Sequence, residues 1–547
     1  MSVNQINGKL FREMVLNGAN NLSNHSQYVN ELNVFPVPDG DTGTNMSMTI
    51  NSGASELQNL NEESLGKVAK ILSRGLLMGA RGNSGVILSQ LFRGFAQSVE
   101  GKDSASIEEL SAALEQGVKT AYKAVMRPVE GTILTVARES AEVMSKKHGE
   151  ANNVVEFYEM VIKEMEISLA NTPELLPVLK EVGVVDSGGQ GLVYIFEGFL
   201  KALQGETITL QDQSMATTSS AAAMDMEHSE FGYCTEFIMK IDPSRKLFKE
   251  EIFRDRLEKL GDSIVVVQDE DIVKVHVHTL TPGEALNLGQ KHGEFIKMKI
   301  ENMTEQHNEI IGSDQAHAIK MHNEAKEKKD YAIIAVVAGE GIKQQFLDNG
   351  ADYVIEGGQT MNPSTEDFLK AIDEVNAKNI IILPNNSNII MAANQAADVT
   401  ESAHVSVVPS KTIPQGYTAL MMFNNQGELT DNEQSMTKAL GEVKSGQVTY
   451  AVRDTNMNGV EIKENDFIGI LDKEIVVATK DRFKSVCALA DKMMDEDSEL
   501  VTVFYGEDTD EEEADRLAEY IESKFEDAEV TVIGGEQPVY SYIISVE

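Results

Sequence analysis

The sequence predicts a multidomain chain: an all-α N-terminal unit, a small α+β middle unit and an α/β C-terminal unit. Three observations carry this expectation. Up to about residue 205, apolar residues recur at three- and four-residue spacing, and glycine-rich loops separate the runs. Between residue 230 and about 312, strand and helix signals alternate. From Tyr331 onward a βαβ rhythm sets in, which argues for a parallel sheet. A chain of 547 residues is too long for one core and should divide into two to four domains.

The elements follow in order. Glu63–Leu77, Ile107–Val125 and Val154–Leu169 read as amphipathic helices, so residues 1–208 predict an all-α barrel or bundle with its chemistry on the loops. Residues 209–229 are small and polar with no Pro or Gly and read as a linker, a short Ala-rich helix being the alternative. In the middle domain, 230–315, Phe231–Ile241 and Ser263–His278 read as strands. Phe248–Leu260, Gly283–Leu288 and the run around Ile300–Gln306 read as helical. In the C-terminal domain, 328–547, Tyr331–Ala338 is continuously apolar, as a strand buried on both faces must be. Tyr353–Ile355 and Ile380–Leu383 are further strands, Thr365–Asn376 is a helix, and Glu507–Glu513 is a solvated helix start.

A formal net charge of −41 argues against nucleic acid, which demands a basic footprint, and against docking on anionic lipid. The two cysteines, Cys234 and Cys487, make no disulfide framework. Lys9, Arg12 and Glu13 fall in the first helical pattern, where a signal peptide would need an apolar run. No apolar run approaches the roughly 18 residues of a membrane span. A cytoplasmic protein is expected.

Chemistry concentrates on four loops of the helical unit. In Asn33–Met46, Pro38-Asp39-Gly40-Asp41 must turn, because Pro fixes φ and Gly opens the left-handed region. The turn can aim Asp39 and Asp41 at one point. Hard oxygen ligands in a tight turn suit Mg²⁺, which takes few protein carboxylates and keeps water and phosphate oxygens. The second loop, Gly79–Gly85, leads into a helix whose first backbone N–H groups can bind phosphate. The third is Arg127–Thr132 and the fourth Val184–Gly191. There is no Walker A motif and no GxGxxG after a strand. Each loop alone is better explained as a structural turn; together with the Asp-x-Asp pair they predict a nucleotide–metal site.

The run Asn-Val-Phe-Pro-Val-Pro-Asp-Gly-Asp-Thr-Gly-Thr-Asn-Met, the Gly-Ala-Arg-Gly-Asn-Ser-Gly-Val-Ile-Leu-Ser-Gln loop and the Val-Asp-Ser-Gly-Gly-Gln-Gly loop resemble the ATP-binding subunits of bacterial fatty acid kinase, the FakA family. The N-terminal unit also resembles the nucleotide-binding L subunit of dihydroxyacetone kinase, and the C-terminal unit resembles the DegV fold. The resemblance implies an antiparallel eight-helix barrel that binds ATP with two Mg²⁺ ions. Carried over residue by residue, it implies Asp39 and Asp41 as metal ligands, with Asn33 standing where the family has a further Asp. It implies Thr42, Thr44, Asn45, Gly82, Asn83, Ser84, Gly85, Thr132, Asp186 and Gly188 around the nucleotide. Arg81, Arg127 and Arg138 are candidates to stabilise the transferred phosphoryl charge, with surface arginine the alternative.

In the middle domain, His276 and His278 are two apart on one strand and share a face. With Cys234 they form a chemically sensible zinc set, which Glu236 could complete. Spacing alone favours a polar face and a buried cysteine; the family resemblance implies Zn²⁺ at Cys234, His276 and His278. In the C-terminal domain, Pro384–Asn388 and Gly357–Ser364 precede helices and read first as caps, with Ser364 an N-cap. No acyl pocket is legible there, and a partner-binding or dimer-related role is expected. The implied function is ATP-dependent phosphorylation of a fatty acid carboxylate presented by a separate FakB-type protein, in a likewise implied homodimer. A small-triose kinase and a non-enzymatic nucleotide-binding scaffold remain alternatives.

Overall fold

A computed structural model describes residues 4–33, 40–125, 127–210, 233–241, 248–257, 259–269, 272–279, 281–302, 328–358, 361–496 and 498–547. Asp39 and the expected linker from residue 211 lie outside the described residues. The chain divides into two compact units: Met1–Asp212 together with Lys328–Glu547, and Gln213–Glu327.

The N-terminal part of the first unit runs α1 (Gly8–Glu31), α2 (Thr42–Leu57), α3 (Leu65–Met78), α4 (Gly82–Ser98), α5 (Ile107–Ala124), α6 (Ile133–Lys147), α7 (Val154–Leu175), the short α8 (Pro177–Val182) and α9 (Ser187–Leu203). Each long helix packs on its successor, and α9 packs on both α7 and α1, so eight helices close a ring. The three helices expected from periodicity are α3, α5 and α7. Helix formation has local causes as well: Asn7 caps α1, and Ser106 with Glu109 forms a capping box on α5. The ring interior is a largely apolar core, with buried polar side chains such as Ser140 and Ser168 among the helices. Phe11 stacks on Phe95 with ring centroids 5.1 Å apart, and Phe199 lies against Phe11, Phe92, Tyr158 and Phe196. The expectation of no strands in this region is corrected: β1 (Gln5–Asn7) pairs antiparallel with β2 (Ser104–Ser106). Only Ile6 and Ala105 of these are buried, too short an alternation to read.

The rest of the first unit holds two sheets. Strands β7 (Lys329–Val337), β8 (Tyr353–Glu356), β9 (Ala377–Leu383) and β10 (His404–Val407) form a parallel sheet in the order β10-β9-β7-β8. Helices α12 (Glu340–Asp348), α13 (Thr365–Val375) and α14 (Ile390–Val399) join these strands; α15 (Ile413–Met421) and α16 (Leu429–Ala439) follow. A six-stranded mixed sheet is ordered β15-β14-β11-β18-β16-β17, with β11 at Lys444–Tyr450, β14 at Phe467–Leu471, β15 at Glu474–Thr479, β16 at Leu500–Tyr505, β17 at Glu529–Gly534 and β18 at Tyr542–Val546. The small hairpin of β12 (Thr455–Met457) and β13 (Val460–Ile462), and helices α17 (Arg482–Met493) and α18 (Glu511–Lys524), complete it. The acidic run enters α18, with Glu511, Glu512 and Glu513 in its first turn.

In the second unit, β3 (Tyr233–Ile241), β4 (Gly261–Asp269), β5 (Ile272–Thr279) and β6 (Gly293–Asn302) form an antiparallel sheet ordered β4-β5-β3-β6, with α10 (Glu250–Leu257) and α11 (Pro282–Gln290). Two expectations are corrected here. Ser263–His278 is a hairpin rather than one strand, and Ile300 to Asn302 end β6 rather than start a helix.

Candidate functional site

Four of the barrel helices begin at one place. Asp41, Arg81, Thr132 and Asp186 occupy the N-cap positions of α2, α4, α6 and α9. The first turns of these helices line a single cleft of about 1430 Å³ through Thr42, Asn83, Ser84, Thr132, Asp186, Ser187 and Gly188, with Asn33 beside them. At Asp41, Arg81 and Thr132 no side chain caps the helix. At the start of α4 the leading N–H groups and dipole end therefore have little local competition for an anion, whereas the Thr44 N–H of α2 is taken by the Asn30 side chain and the Ile133 N–H of α6 by the Asp186 carboxylate. Arg93, Lys119, Lys123, Arg127, Lys411 and Lys473 also line the cleft, against Asp186 and Asp398 as the acidic residues among those described. A cleft this basic in a chain of charge −41 focuses positive potential where the rest of the surface repels anions.

The turn into α2 is held from behind. Asn30, which sequence reasoning missed, accepts from the Thr44 N–H at 3.1 Å and donates to the Thr44 hydroxyl at 3.0 Å. Asn45 is buried, and its backbone N–H donates to the Asp41 carbonyl at 2.8 Å. A methyl on Gly43 would stand 2.1 Å from the Ser26 carbonyl oxygen, so only glycine lets α2 cross α1 this closely. Gly82 opens α4 at φ +57°, and a Cβ there would reach the Asn45 side chain at 2.5 Å. Thr49 ties the two loops: its hydroxyl donates to the Asn45 carbonyl at 2.7 Å and accepts from the Arg81 N–H at 3.2 Å. Gly85 lies against that same hydroxyl.

Burial pushes the Asp41 carboxyl up to about 6, opposed by hydrogen bonds from the Asn45 and Asn362 amides. Neither partner is a cation, so the carboxylate is poorly compensated, and a divalent ion fits that need. Asn33 stands beside Gly40, whose added Cβ would be 3.3 Å from the Asn33 Cβ. Among the described residues no three His, Cys, Asp or Glu side chains cluster for a metal; Asp39 is not among them. Asp186 accepts from the Gly189 N–H at 2.6 Å, and burial raises its carboxyl to about 6.

Two of the three candidate arginines are placed differently from expectation. Arg81 turns away from the cleft to pair with Asp367 at 3.3 Å and to donate to the Asn362 carbonyl at 2.7 Å. Arg138 binds Glu130 at 2.9 Å, with Glu139 and Glu142 at 3.4 Å. Both are consumed by neighbouring carboxylates. Arg127 alone of the three lines the cleft.

The C-terminal part of this unit supplies the other wall. Ser387, Asn388, Met391, Lys411 and Lys473 face the cleft, and Asn83 donates to the Asn388 side chain at 3.3 Å. The caps expected at Gly357–Ser364 and Pro384–Asn388 also touch the barrel. Ser364 does cap α13 with a capping box. Ala80 accepts from the Thr365 N–H at 3.2 Å, and Arg453 donates to the carbonyls of Glu31 and Asn33. In the second unit, backbone register places Cys234 opposite His278 and Glu236 opposite His276. The intervening positions Thr235, Phe237, Val275 and Val277 are buried. The side chains of Cys234, His276 and His278 lie outside those described.

Residues 36–201 match the model of the DAK2 domain, residues 230–310 that of the FakA-like fatty acid kinase middle domain, and residues 332–547 that of the FakA-like fatty acid kinase C-terminal domain. Protein YloV of Bacillus subtilis (strain 168) is 50% identical over 556 residues, covering 100% of both chains. The chain belongs to the FakA-like fatty acid kinase family. A further relative, uncharacterized protein SH1689 of Staphylococcus haemolyticus (strain JCSC1435), is 48% identical to this FakA-like chain over 552 residues, again covering 100% of both. Two solved structures resemble 40% of the chain: a DegV-family protein of Ruminococcus gnavus ATCC 29149 (14% identity, TM-score 0.30, 100% of that chain) and the Streptococcus pneumoniae Fatty Acid Kinase B3 protein loaded with linoleic acid (12% identity, TM-score 0.28, 99% of that chain). Among the described residues of this FakA-like chain no helix is long and apolar enough to cross a membrane.

Proposed function

We propose that this chain is the ATP-binding subunit of a fatty acid kinase, transferring the γ-phosphoryl group of ATP to a fatty acid carboxylate that a separate FakB-type protein presents. The observation that carries the reading is the basic cleft on which four helix N-termini converge beside the poorly compensated Asp41 carboxylate. Asp39, Asp41 and Asn33 are the residues to hold Mg²⁺. Held there, Mg²⁺ would supply positive charge to offset that developing on the phosphates. The first N–H groups of α4 orient the phosphates from fixed backbone positions, and the Asp186 carboxylate ties the starts of α6 and α9 together beside them. Asn83, Ser84, Thr132 and Gly188 shape the same wall.

A fatty acid carboxylate is ionised at neutral pH. One of its oxygens attacks the γ-phosphorus, the bond from phosphorus to the β–γ bridging oxygen breaks, and ADP leaves with that electron pair. No proton moves, so positioning and charge neutralisation suffice. Arg127, Lys411 and Lys473 are placed to receive the anionic acceptor or the transferred group. In the middle domain, Cys234, His276 and His278 are the proposed zinc ligands, supported by the register that sets Cys234 opposite His278.

The test is reconstitution: the purified chain, a FakB-type protein loaded with oleate, Mg²⁺ and ATP should yield ADP and acyl phosphate in step. Absence of acyl phosphate overturns the reading. ADP release on dihydroxyacetone instead would reassign the acceptor.

A further inference from the structure

We propose that Asn362 is a positioning residue of the metal–nucleotide site, delivered across 321 residues of sequence to orient the Asp41 carboxylate. The inference rests on the kinase reading above. The Asn362 Nδ2 donates to Asp41 Oδ2. Asn362 is 1% exposed, and its Oδ1 has no hydrogen-bond partner among the described residues. A buried acceptor left open costs about 1–3 kcal/mol. An apolar side chain of similar size would avoid that cost, so the nitrogen end is what the position uses. An oxygen facing the carboxylate would repel it, which fixes the amide orientation.

The surroundings hold that amide still. Arg81 donates to the Asn362 carbonyl at 2.7 Å and pairs with Asp367 at 3.3 Å. Asp367 also accepts from the Ser364 N–H at 2.7 Å in the cap of α13. Arg81 and Ser364 form an antiparallel bridge. The start of α4 and the start of α13 are thereby joined, with Asn362 between them and its side chain on Asp41. A hydrogen bond that fixes a ligand carboxylate typically contributes 10–100-fold in metal affinity. Arg81 therefore serves the site through Asn362 rather than by touching phosphate.

The experiment measures binding in the full chain, with a fluorescent ATP analogue titrated at varied Mg²⁺. Asn362→Leu keeps the branched shape, though with more volume, and removes the donor; Asn362→Ala, which also has no donor, serves if the leucine variant does not fold. Either should raise the Mg²⁺ concentration for half-maximal nucleotide binding about 10–100-fold, while Mg²⁺-free binding changes less than twofold. Asp367→Asn, which removes the charge that Arg81 pairs with and keeps an amide oxygen for the Ser364 cap, should shift the midpoint in the same direction by less. A midpoint within twofold of wild type in the folded variants overturns the role of Asn362 and leaves the kinase reading standing. Wild-type protein that binds no nucleotide overturns both.

Discussion

Replacing Asp41 by asparagine should make the metal-free protein more stable and the loaded protein less so. Burial moves the Asp41 carboxyl from 3.8 to about 6. At about 1.4 kcal/mol per pH unit, that gap corresponds to about 3 kcal/mol of stability withheld from the native state when the group is ionised. The sign follows from proton uptake. Above pH 6 both states are ionised and the full penalty applies. Between 6 and 3.8 the native state holds its proton more tightly than the unfolded chain, so the penalty fades as pH falls. Below 3.8 both states are protonated and it is gone. The amide introduced by D41N cannot ionise, and its carbonyl still accepts from the Asn362 side chain. In EDTA without nucleotide, D41N should exceed wild type by about 3 kcal/mol at pH 8 and by about half of that at pH 5. With Mg²⁺ and nucleotide at 100 times the dissociation constant, wild type gains about 2.7 kcal/mol and the variant gains little, closing the gap. Denaturant unfolding at both pH values, with and without Mg²⁺–nucleotide, reads all four corners. A D41N variant no more stable than wild type at pH 8, or a gap independent of pH, would refute the reasoning.

Because the proton competes with the metal for Asp41, Mg²⁺-dependent nucleotide affinity should fall about tenfold per pH unit below pH 6, as isothermal titration calorimetry would show. Gly43→Ala forces a methyl to 2.1 Å from the Ser26 carbonyl; a loss of about 1–3 kcal/mol and of nucleotide binding is expected, checked by unfolding and the fluorescent analogue. Arg138→Met should leave turnover within twofold, since the guanidinium is occupied by Glu130, Glu139 and Glu142 and does not line the cleft. Elemental analysis should find about one zinc per chain, lost in Cys234→Ser and His276→Ala; full zinc content in both variants would remove the site.

Long amphipathic runs and the apolar strands of the parallel sheet were legible, because burial of one helix face or both strand faces leaves a periodic signature. The glycine loops were legible as helix starts, since Gly82 and Gly43 are where side chains cannot fit. The β1–β2 pair was not, because three residues a side carry one buried position each. The β4–β5 hairpin merged into one strand because both halves are Val- and Ile-rich and only Glu270-Asp271 divides them. Asn362 was invisible for a different reason. It precedes a proline in a polar loop, and nothing local records that Asp41 is its partner. The same distance hid the fate of Arg81, whose carboxylate lies in the C-terminal part of the chain.

Asp41 and Asn362 are also separated in time. At about 5–20 residues per second, a ribosome adds the 321 residues between them in about 16–64 s. During that interval the helical ring must stand without the wall that later covers its helix starts. Its core can do so: the buried side chains at its centre all come from residues 6–203. The nascent ring thus has the means to fold first, and its helix starts then wait for the rest of their own chain to arrive.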